Sequence, residues 1–295
     1  MFQRPSPAVV RSWSKSIALA SAGANCTAFR HRDFECRRTS WATSSSHTND
    51  GRRVAVNPLA ACGTCDLCEA GKTNLCRTRS LLGIHVAGGF AERVSVPLSS
   101  VHDLPDELEW DRAALIEPVA NAVHAWVLAG SPQGRRVGVI GCGPIGLACL
   151  EIARYRGAAL VACAERSGER RDVALTIGAD EVAEALDGEF DVIFDAVGTL
   201  DTRRASLEHL IPGGTTVWLG LATSDPGFDA AHAVRTEKNV RGSFAYTDEQ
   251  FADAVAIALR LNLSSSTTYP LNQGAEVFNA LMAGQATPIK ALLRP

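Results

Sequence analysis

Several things are scarce in this chain, and each scarcity removes a class of protein. No apolar run is long enough to cross a bilayer as a helix, which argues for a soluble protein with no membrane partner. Positive charge is not in excess: 29 lysines and arginines stand against 32 acids, for a formal net charge of -3, so there is no basic field for nucleic acid. Nine cysteines in 295 residues are too few to staple a small disulfide scaffold, and a reducing cytoplasmic setting fits them. Acids are missing altogether from residues 1–32, where arginines and serines occur instead, a composition shared by organelle transit segments.

What remains is ordinary for a globular protein, with 46% apolar and 21% charged residues, and 295 residues suggest two domains. From Gly51 onward the chain is clearly punctuated. An extended segment (Arg53 to Val56), a Cys/Gly-rich loop (Ala61 to Cys76) and a second extended stretch (Phe90 to Val96) read as strand and loop. Helical apolar spacing runs from Val119 to Leu128 and stops at Gly130, and Ser131-Pro132-Gln133-Gly134 reads as a linker. Beyond it, strands at Val137 to Ile140, Leu160 to Ala164, Asp191 to Ala196, Thr215 to Leu219 and Val240 to Phe244 alternate with helices at Pro144 to Tyr155, Glu169 to Ile177 and Thr202 to Leu210. Such alternation predicts an α/β, doubly wound parallel sheet. A helix at Glu249 to Leu261 closes this part, and the tail carries one more helix (Ala275 to Met282) and an extended end that returns to the first domain. No internal repeat is evident.

Four cysteines, Cys62, Cys65, Cys68 and Cys76, form the pattern C-x2-C-x2-C-x7-C, bracketed by Gly63 and Gly71. Two-residue gaps let a tight turn bring successive thiolates to roughly 2.3 Å from one zinc ion. With all four positions filled by protein, such a site is structural and leaves no place for water or substrate. A reduced or redox-active cysteine cluster is the competing explanation. The remaining cysteines, Cys26, Cys36, Cys142, Cys149 and Cys163, have no partner pattern, and the last three lie in apolar elements where a thiol is usually packed as a small hydrophobe.

Gly141-Cys142-Gly143-Pro144-Ile145-Gly146 is G-x-G-x-x-G, placed directly between an apolar strand and a helix. That context gives it weight: the first glycine makes the turn, the second lets backbone approach a pyrophosphate, the third lets helix and strand pack, and the helix start favours the anion. Glu165 follows the next strand where a carboxylate would hold the adenosine ribose hydroxyls, which favours NAD over NADP, although adjacent Arg166 softens that preference. The competing reading of Glu165 is a solvated loop acid.

With both signatures in place, residues 51–295 resemble the zinc-containing medium-chain dehydrogenases, the group of alcohol, sorbitol, butanediol and threonine dehydrogenases. Arg53-Val54-Ala55-Val56-Asn57-Pro58, the four cysteines, Gly88-Gly89-Phe90-Ala91-Glu92, Glu117-Pro118 with His124, the glycine loop and Pro212-Gly213-Gly214 occur in the family's order. The resemblance implies a mainly-β, GroES-like catalytic domain (51–130 with 262–295, incomplete here) and a Rossmann cofactor domain (131–261), with the cleft between them. It implies that Cys62, Cys65, Cys68 and Cys76 hold structural zinc, that Glu165 is the ribose-binding acid and that Arg170 is the adenosine-side arginine. Glu117 matches the glutamate beside the catalytic zinc; the other reading is a helix-start carboxylate ahead of a proline. His124 is read as core. The family acts on small alcohols or polyols with NAD and forms dimers and tetramers, so a homodimer or homotetramer is implied. A zinc-independent quinone reductase is disfavoured, because the four-cysteine loop would be surplus.

The resemblance breaks in residues 1–50. Family members hold the catalytic zinc with a cysteine in Gly-x-Cys-Gly-Ser/Thr-Asp and a histidine in Gly-His-Glu, and neither string occurs. Cys26 and His31 are not in those contexts. Codon degeneracy offers an explanation. When Ser14 to Thr27 are written as degenerate codons and read from the last base of the Trp13 codon, the permitted translation is Val-(Glu)-Val-x-x-Ala-Gly-(Ile/Val)-Cys-Gly-Ser-Glu-Leu-His, the missing motif with Glu for Asp. A reading-frame error restored shortly before Gly51 accounts for this better than a transit segment, which would precede an intact catalytic domain. Without the ligands, little or no turnover is expected.

Overall fold

The computed structural model describes residues 7–19, 42–48, 50–91, 93–223, 229–262, 266–283 and 289–294; Cys26, His31, Cys36 and Glu92 lie outside them. The first part of the chain carries strands β1 (Pro7–Leu19), β2 (Ala42–Thr48), β3 (Arg53–Val56), β4 (Leu59–Ala60), β5 (Ser80–Leu81), β6 (Arg93–Pro97) and β7 (Val101–Asp103), with helices α1 (Asp66–Glu69), α2 (Trp110–Ala113) and α3 (Ile116–Ala129). Next come β8 (Arg136–Ile140), α4 (Pro144–Tyr155), β9 (Leu160–Ala164), α5 (Gly168–Thr176), β10 (Glu181–Ala183), β11 (Phe190–Asp195), α6 (Leu200–Glu208), β12 (Leu210–Trp218), α7 (Ala230–Arg235), β13 (Asn239–Gly242) and α8 (Asp248–Ala258). The chain ends with β14 (Ser266–Pro270), α9 (Gly274–Met282) and β15 (Lys290–Arg294).

Two large sheets organise these elements, and β4 pairs with β5 in a third of two strands. The first has seven strands in the order β14-β15-β1-β2-β3-β7, with β6 also paired to β1; β15 therefore returns to the N-terminal strands, as the extended tail predicts. The second has six parallel strands in the order β10-β9-β8-β11-β12-β13, the doubly wound arrangement, and its order reverses between β8 and β11. Crevices at such a reversal, at the carboxyl ends of the strands, are where ligands bind.

Local chemistry explains the boundaries. Helix α3 ends because Gly130 takes φ 86°, and its N–H donates to Trp126 O at 2.9 Å. Helix α4 starts on Pro144, whose fixed φ suits the first helical turn, after extended Gly143. Helices α6 and α8 each begin with a capping box, Thr199 with Thr202 and Thr247 with Gln250. Strand β12 begins five residues before the expected Thr215, running through Pro212-Gly213-Gly214; the register shifts between Phe190 and Val192, and a kink with φ 75° at Gly213 absorbs the breakers.

The main core lies where α3, α4 and α8 pack on the six-stranded sheet. Trp126 is its largest buried side chain, edge-on to Phe194 at 4.6 Å, with its indole N–H donated to Cys149 O at 3.1 Å. Cys142, Cys149 and Cys163 are buried there, as expected of packed thiols. Among the described residues no helix is long and apolar enough to cross a membrane.

Candidate functional site

The loop between β4 and β5 gathers the four cysteines. Gly63 and Gly71, at φ 75° and 73°, make the turns on either side of α1; Cys65 caps that helix, Cys68 lies within it, and Cys76 follows a short turn at 73–75. The sulfurs lie 3.5 Å apart for Cys65 and Cys68, 3.9 Å for Cys62 and Cys68, 4.0 Å for Cys65 and Cys76, and all four fall within 4.8 Å of one another. A tetrahedral zinc with bonds of about 2.3 Å needs sulfurs about 3.8 Å apart, so the set fits that ion. The backbone N–H of Thr64 and the Thr78 hydroxyl pull the Cys62 thiol down to about 5, whereas desolvation and the neighbouring Cys65 sulfur push Cys68 up to about 12. Among the described residues this is the one group of three or more His, Cys, Asp or Glu side chains placed to hold a metal.

At the end of β8 each glycine has its own steric reason. A Cβ on Gly141, which has φ 92°, would lie 2.5 Å from Val197 Cγ2, and one on Gly146 would lie 1.9 Å from Gly141 O. A Cβ on Gly143 would meet nothing within 4 Å, so that glycine opens on free space in front of Pro144, Ile145 and Gly146 at the start of α4. Glu165 is tied to this loop: its carboxylate accepts from the N–H of Cys142 at 2.9 Å and of Ser167 at 3.0 Å, with Arg170 Nη1 3.9 Å away. The solvated-acid reading of Glu165 is therefore excluded, since its side chain is only 12% exposed and doubly bonded. Arg166 stands exposed beside it.

Glu117, in the first turn of α3, accepts from Asn121 Nδ2 at 2.8 Å and from the Tyr246 hydroxyl at 3.4 Å. Burial, together with the Glu117 charge, pushes the Tyr246 phenol well above its ordinary range. Lys290, 3% exposed on β15, has its ammonium pulled down to about 8 by burial, with Glu117 acting in the opposite sense. These partners were missed from sequence; the one signal was a lone lysine ahead of the apolar Ala291-Leu292-Leu293.

His124 corrects an expectation. It is half-buried rather than core, with Nδ1 3.0 Å from Gln250 Oε1 and Nε2 3.4 Å from Asn74 Nδ2, and desolvation lowers its pKa. Asn74, within the cysteine loop, also donates to Phe244 O at 2.9 Å. Nearby, Asp248 accepts from Asn57 Nδ2 and pairs with His102 Nε2, both at 3.0 Å. The cysteine loop and the first sheet thus meet the second sheet at the start of α8.

Comparison with known proteins follows this division. The family model described as "Alcohol dehydrogenase GroES-like domain" matches residues 39–106, and that described as "Zinc-binding dehydrogenase" matches residues 144–260. L-galactonate-5-dehydrogenase of Escherichia coli is 35% identical over 216 residues, 69% of this chain and 63% of that protein, so the chain spans just under two thirds of that relative's length. A protein of Aspergillus terreus named "Probable D-xylulose reductase A" is 30% identical over 265 residues, 82% of this chain and 74% of its own length. The crystal structure of L-idonate 5-dehydrogenase from Escherichia coli superposes with a TM-score of 0.82 at 25% identity, covering 100% of this chain and 93% of that one. A parallel sheet reversed beside a glycine loop, a tetrad of thiols at zinc spacing and these matches lead to one conclusion: the chain belongs to the zinc-containing medium-chain alcohol and polyol dehydrogenase family.

Proposed function

We propose that this chain holds one structural zinc ion at Cys62, Cys65, Cys68 and Cys76, binds NAD above Gly141 to Gly146, and is built for oxidoreduction at the CH–OH group of a secondary alcohol or polyol, with its own turnover impaired. The sulfur tetrad with tetrahedral spacing carries the reading, because a redox cluster needs no such four-fold arrangement. NAD, when bound, supplies the hydride acceptor. The chain's part is to present the α4 start to the diphosphate across the open face of Gly143, and to offer the Glu165 carboxylate at the adenosine ribose with Arg170 beside it. A fixed negative charge there repels a 2′-phosphate, so NADP is the weaker ligand.

The residues present do not fit a catalytic metal. The two ligand-bearing strings of the family are absent, and Glu117 is engaged by Asn121 and Tyr246 and belongs to no group of three or more His, Cys, Asp or Glu side chains placed to hold a metal among the described residues. The division into 51–130 with 262–295 and 131–261, a homodimer or homotetramer, and a cytoplasmic setting belong to the same proposal. A second reading, a non-catalytic zinc- and NAD-binding remnant, is favoured by the same missing strings. Zinc content and NADH titration on purified protein, with a panel of polyols, separate the outcomes: one zinc with NADH binding and weak turnover supports the impaired dehydrogenase, one zinc with NADH binding and no turnover supports the remnant, two zinc ions with full turnover overturn the single-metal reading, and no zinc with no NADH binding overturns both.

A further inference from the structure

The reversal point of the parallel sheet has two walls, and only one is the glycine loop. The other is the turn that follows β11, and it is held unusually firmly. Asp195, the last residue of β11 and wholly buried, accepts through Oδ1 from the N–H of Val197 at 3.0 Å and of Gly198 at 2.8 Å, fixing the turn from within. Its Oδ2 pairs with Arg203 Nη1 at 2.9 Å and accepts from the Thr202 hydroxyl at 3.2 Å. Arg203, on α6 and almost as buried, also donates to Gly220 O beyond β12 and lies over the Trp218 ring at 4.4 Å. The turns after β11 and β12 touch so closely that a Cβ on Gly220 would lie 2.1 Å from the Val197 carbonyl carbon, and one on Gly198 2.4 Å from that of Gly220. Val197, at the tip, presses on Gly141, the first glycine of the opposite wall.

A buried ion pair is a poor way to gain stability, since desolvation offsets the attraction; burial indeed raises the Asp195 carboxyl and lowers the Arg203 guanidinium. The arrangement has a better explanation in geometry. In a doubly wound sheet the half that follows the reversal serves the second mononucleotide, here the nicotinamide half, while β8, β9 and Glu165 serve the adenosine. We propose that Asp195 and Arg203 are positioning residues for the dinucleotide, clamping the 195–199 turn to Gly220 and so setting the width of the crevice on its nicotinamide side. This rests on the NAD reading above.

The test compares NADH and 5′-AMP binding, by NADH fluorescence and by AMP competition, in the unaltered chain, Arg203→Met, Arg203→Lys and the double variant Asp195→Asn with Arg203→Met. The double variant leaves no uncompensated buried charge, so it keeps the question open should Arg203→Met fail to fold. NADH affinity is expected to fall about tenfold in the Met and double variants while AMP affinity stays within about twofold, because AMP engages only the first half. Arg203→Lys should recover part of the loss, since an ammonium can pair with Asp195 but cannot also reach Gly220 O. Equal weakening of NADH and AMP, or a double variant that binds NADH like the parent, overturns the inference. If the unaltered chain binds neither ligand, the NAD reading fails first and this inference with it.

Discussion

Two alanine substitutions three residues apart should fail in different ways. At Gly146 the added methyl would lie 1.9 Å from Gly141 O, and ordinary contact begins at 3.4 Å, so helix and loop must separate by about 1.5 Å. Neither atom belongs to a flexible side chain, and the alternative, sliding α4, disturbs Leu147, Leu150 and Ile152, all buried. Overpacking of this kind costs about 1–3 kcal/mol, which for a chain of this size corresponds to a fall in Tm of roughly 2–5 °C. Gly143 is the opposite case. Its φ of -78° is open to any residue and its added methyl meets nothing within 4 Å, so Gly143→Ala should leave Tm within about 1 °C. Yet that methyl occupies the space through which a diphosphate must approach the backbone, and NADH affinity should fall by about tenfold or more. Differential scanning fluorimetry and NADH titration on both variants decide the matter. A Gly143→Ala chain that binds NADH normally would show that the open face is not the diphosphate seat, and an unchanged Tm in Gly146→Ala would show that the close approach is not structural.

Other outcomes follow from the same geometry. Zinc should be removable by a strong chelator as one ion per chain, and its return at pH 7 should release protons, because Cys68, pushed up to about 12, still holds one that Cys62, pulled down to about 5, has already lost; zinc affinity should therefore rise with pH, and a pH-independent affinity argues against thiolate ligation. Glu165→Ala removes the acceptor of the Cys142 and Ser167 N–H groups and the charge facing a 2′-phosphate, so NADH binding should weaken while the NADPH to NADH affinity ratio rises; equal losses for both would refute the ribose role. Asp248 is held below its ordinary range chiefly by the hydrogen bond from His102. A carboxyl with a depressed folded pKa stabilises fully above its unfolded value near 3.9 and loses that contribution as pH falls through the lower folded value. Asp248→Asn should thus be less stable than the parent at pH 6–7, by less than about 1 kcal/mol given its exposure, and the difference should vanish once acid protonates the folded carboxyl; a gap that persists in strong acid would refute the assignment.

The parts of this fold that were legible are those whose cause is local. Pro144 and three glycines fix the start of α4 to the residue, Gly130 fixes the end of α3, and three cysteines at two-residue gaps with a fourth soon after dictate their own convergence. The illegible parts are made by distant segments. Glu117, Tyr246 and Lys290 come from a helix start, a loop and the final strand, and no period in the sequence joins them. His124 sits amid Val119, Val123 and Trp126 on an apolar helix and reads as core, but its ring lies against Asn74 and Gln250 from two other elements. Glu165 is singled out by its spacing, whereas its bond to the glycine loop depends on β8 and β9 lying side by side, which only the sheet order reveals.

The N-terminal segment shows what a backbone ladder keeps whatever its side chains are. Strand β1 takes its place between β15, β2 and β6, with Val10 opposite both Thr48 and Val94 and Leu19 opposite Ala291. A ladder of this kind is made by backbone N–H and C=O groups, which every residue but proline supplies, so a strand tolerates wholesale replacement of side chains. Metal ligation does not, because it depends on one thiolate and one imidazole at fixed positions. A shifted reading frame over this stretch would therefore keep a strand and erase a metal centre, which is the combination proposed for this chain. Resequencing the DNA that encodes residues 1–60 should reveal one base change in phase ahead of Ser14 and a compensating one by residue 50. The corrected chain, with Cys-Gly-Ser-Glu-Leu-His restored, should bind two zinc ions where the present one binds a single ion. An unchanged DNA sequence would refute the frame argument.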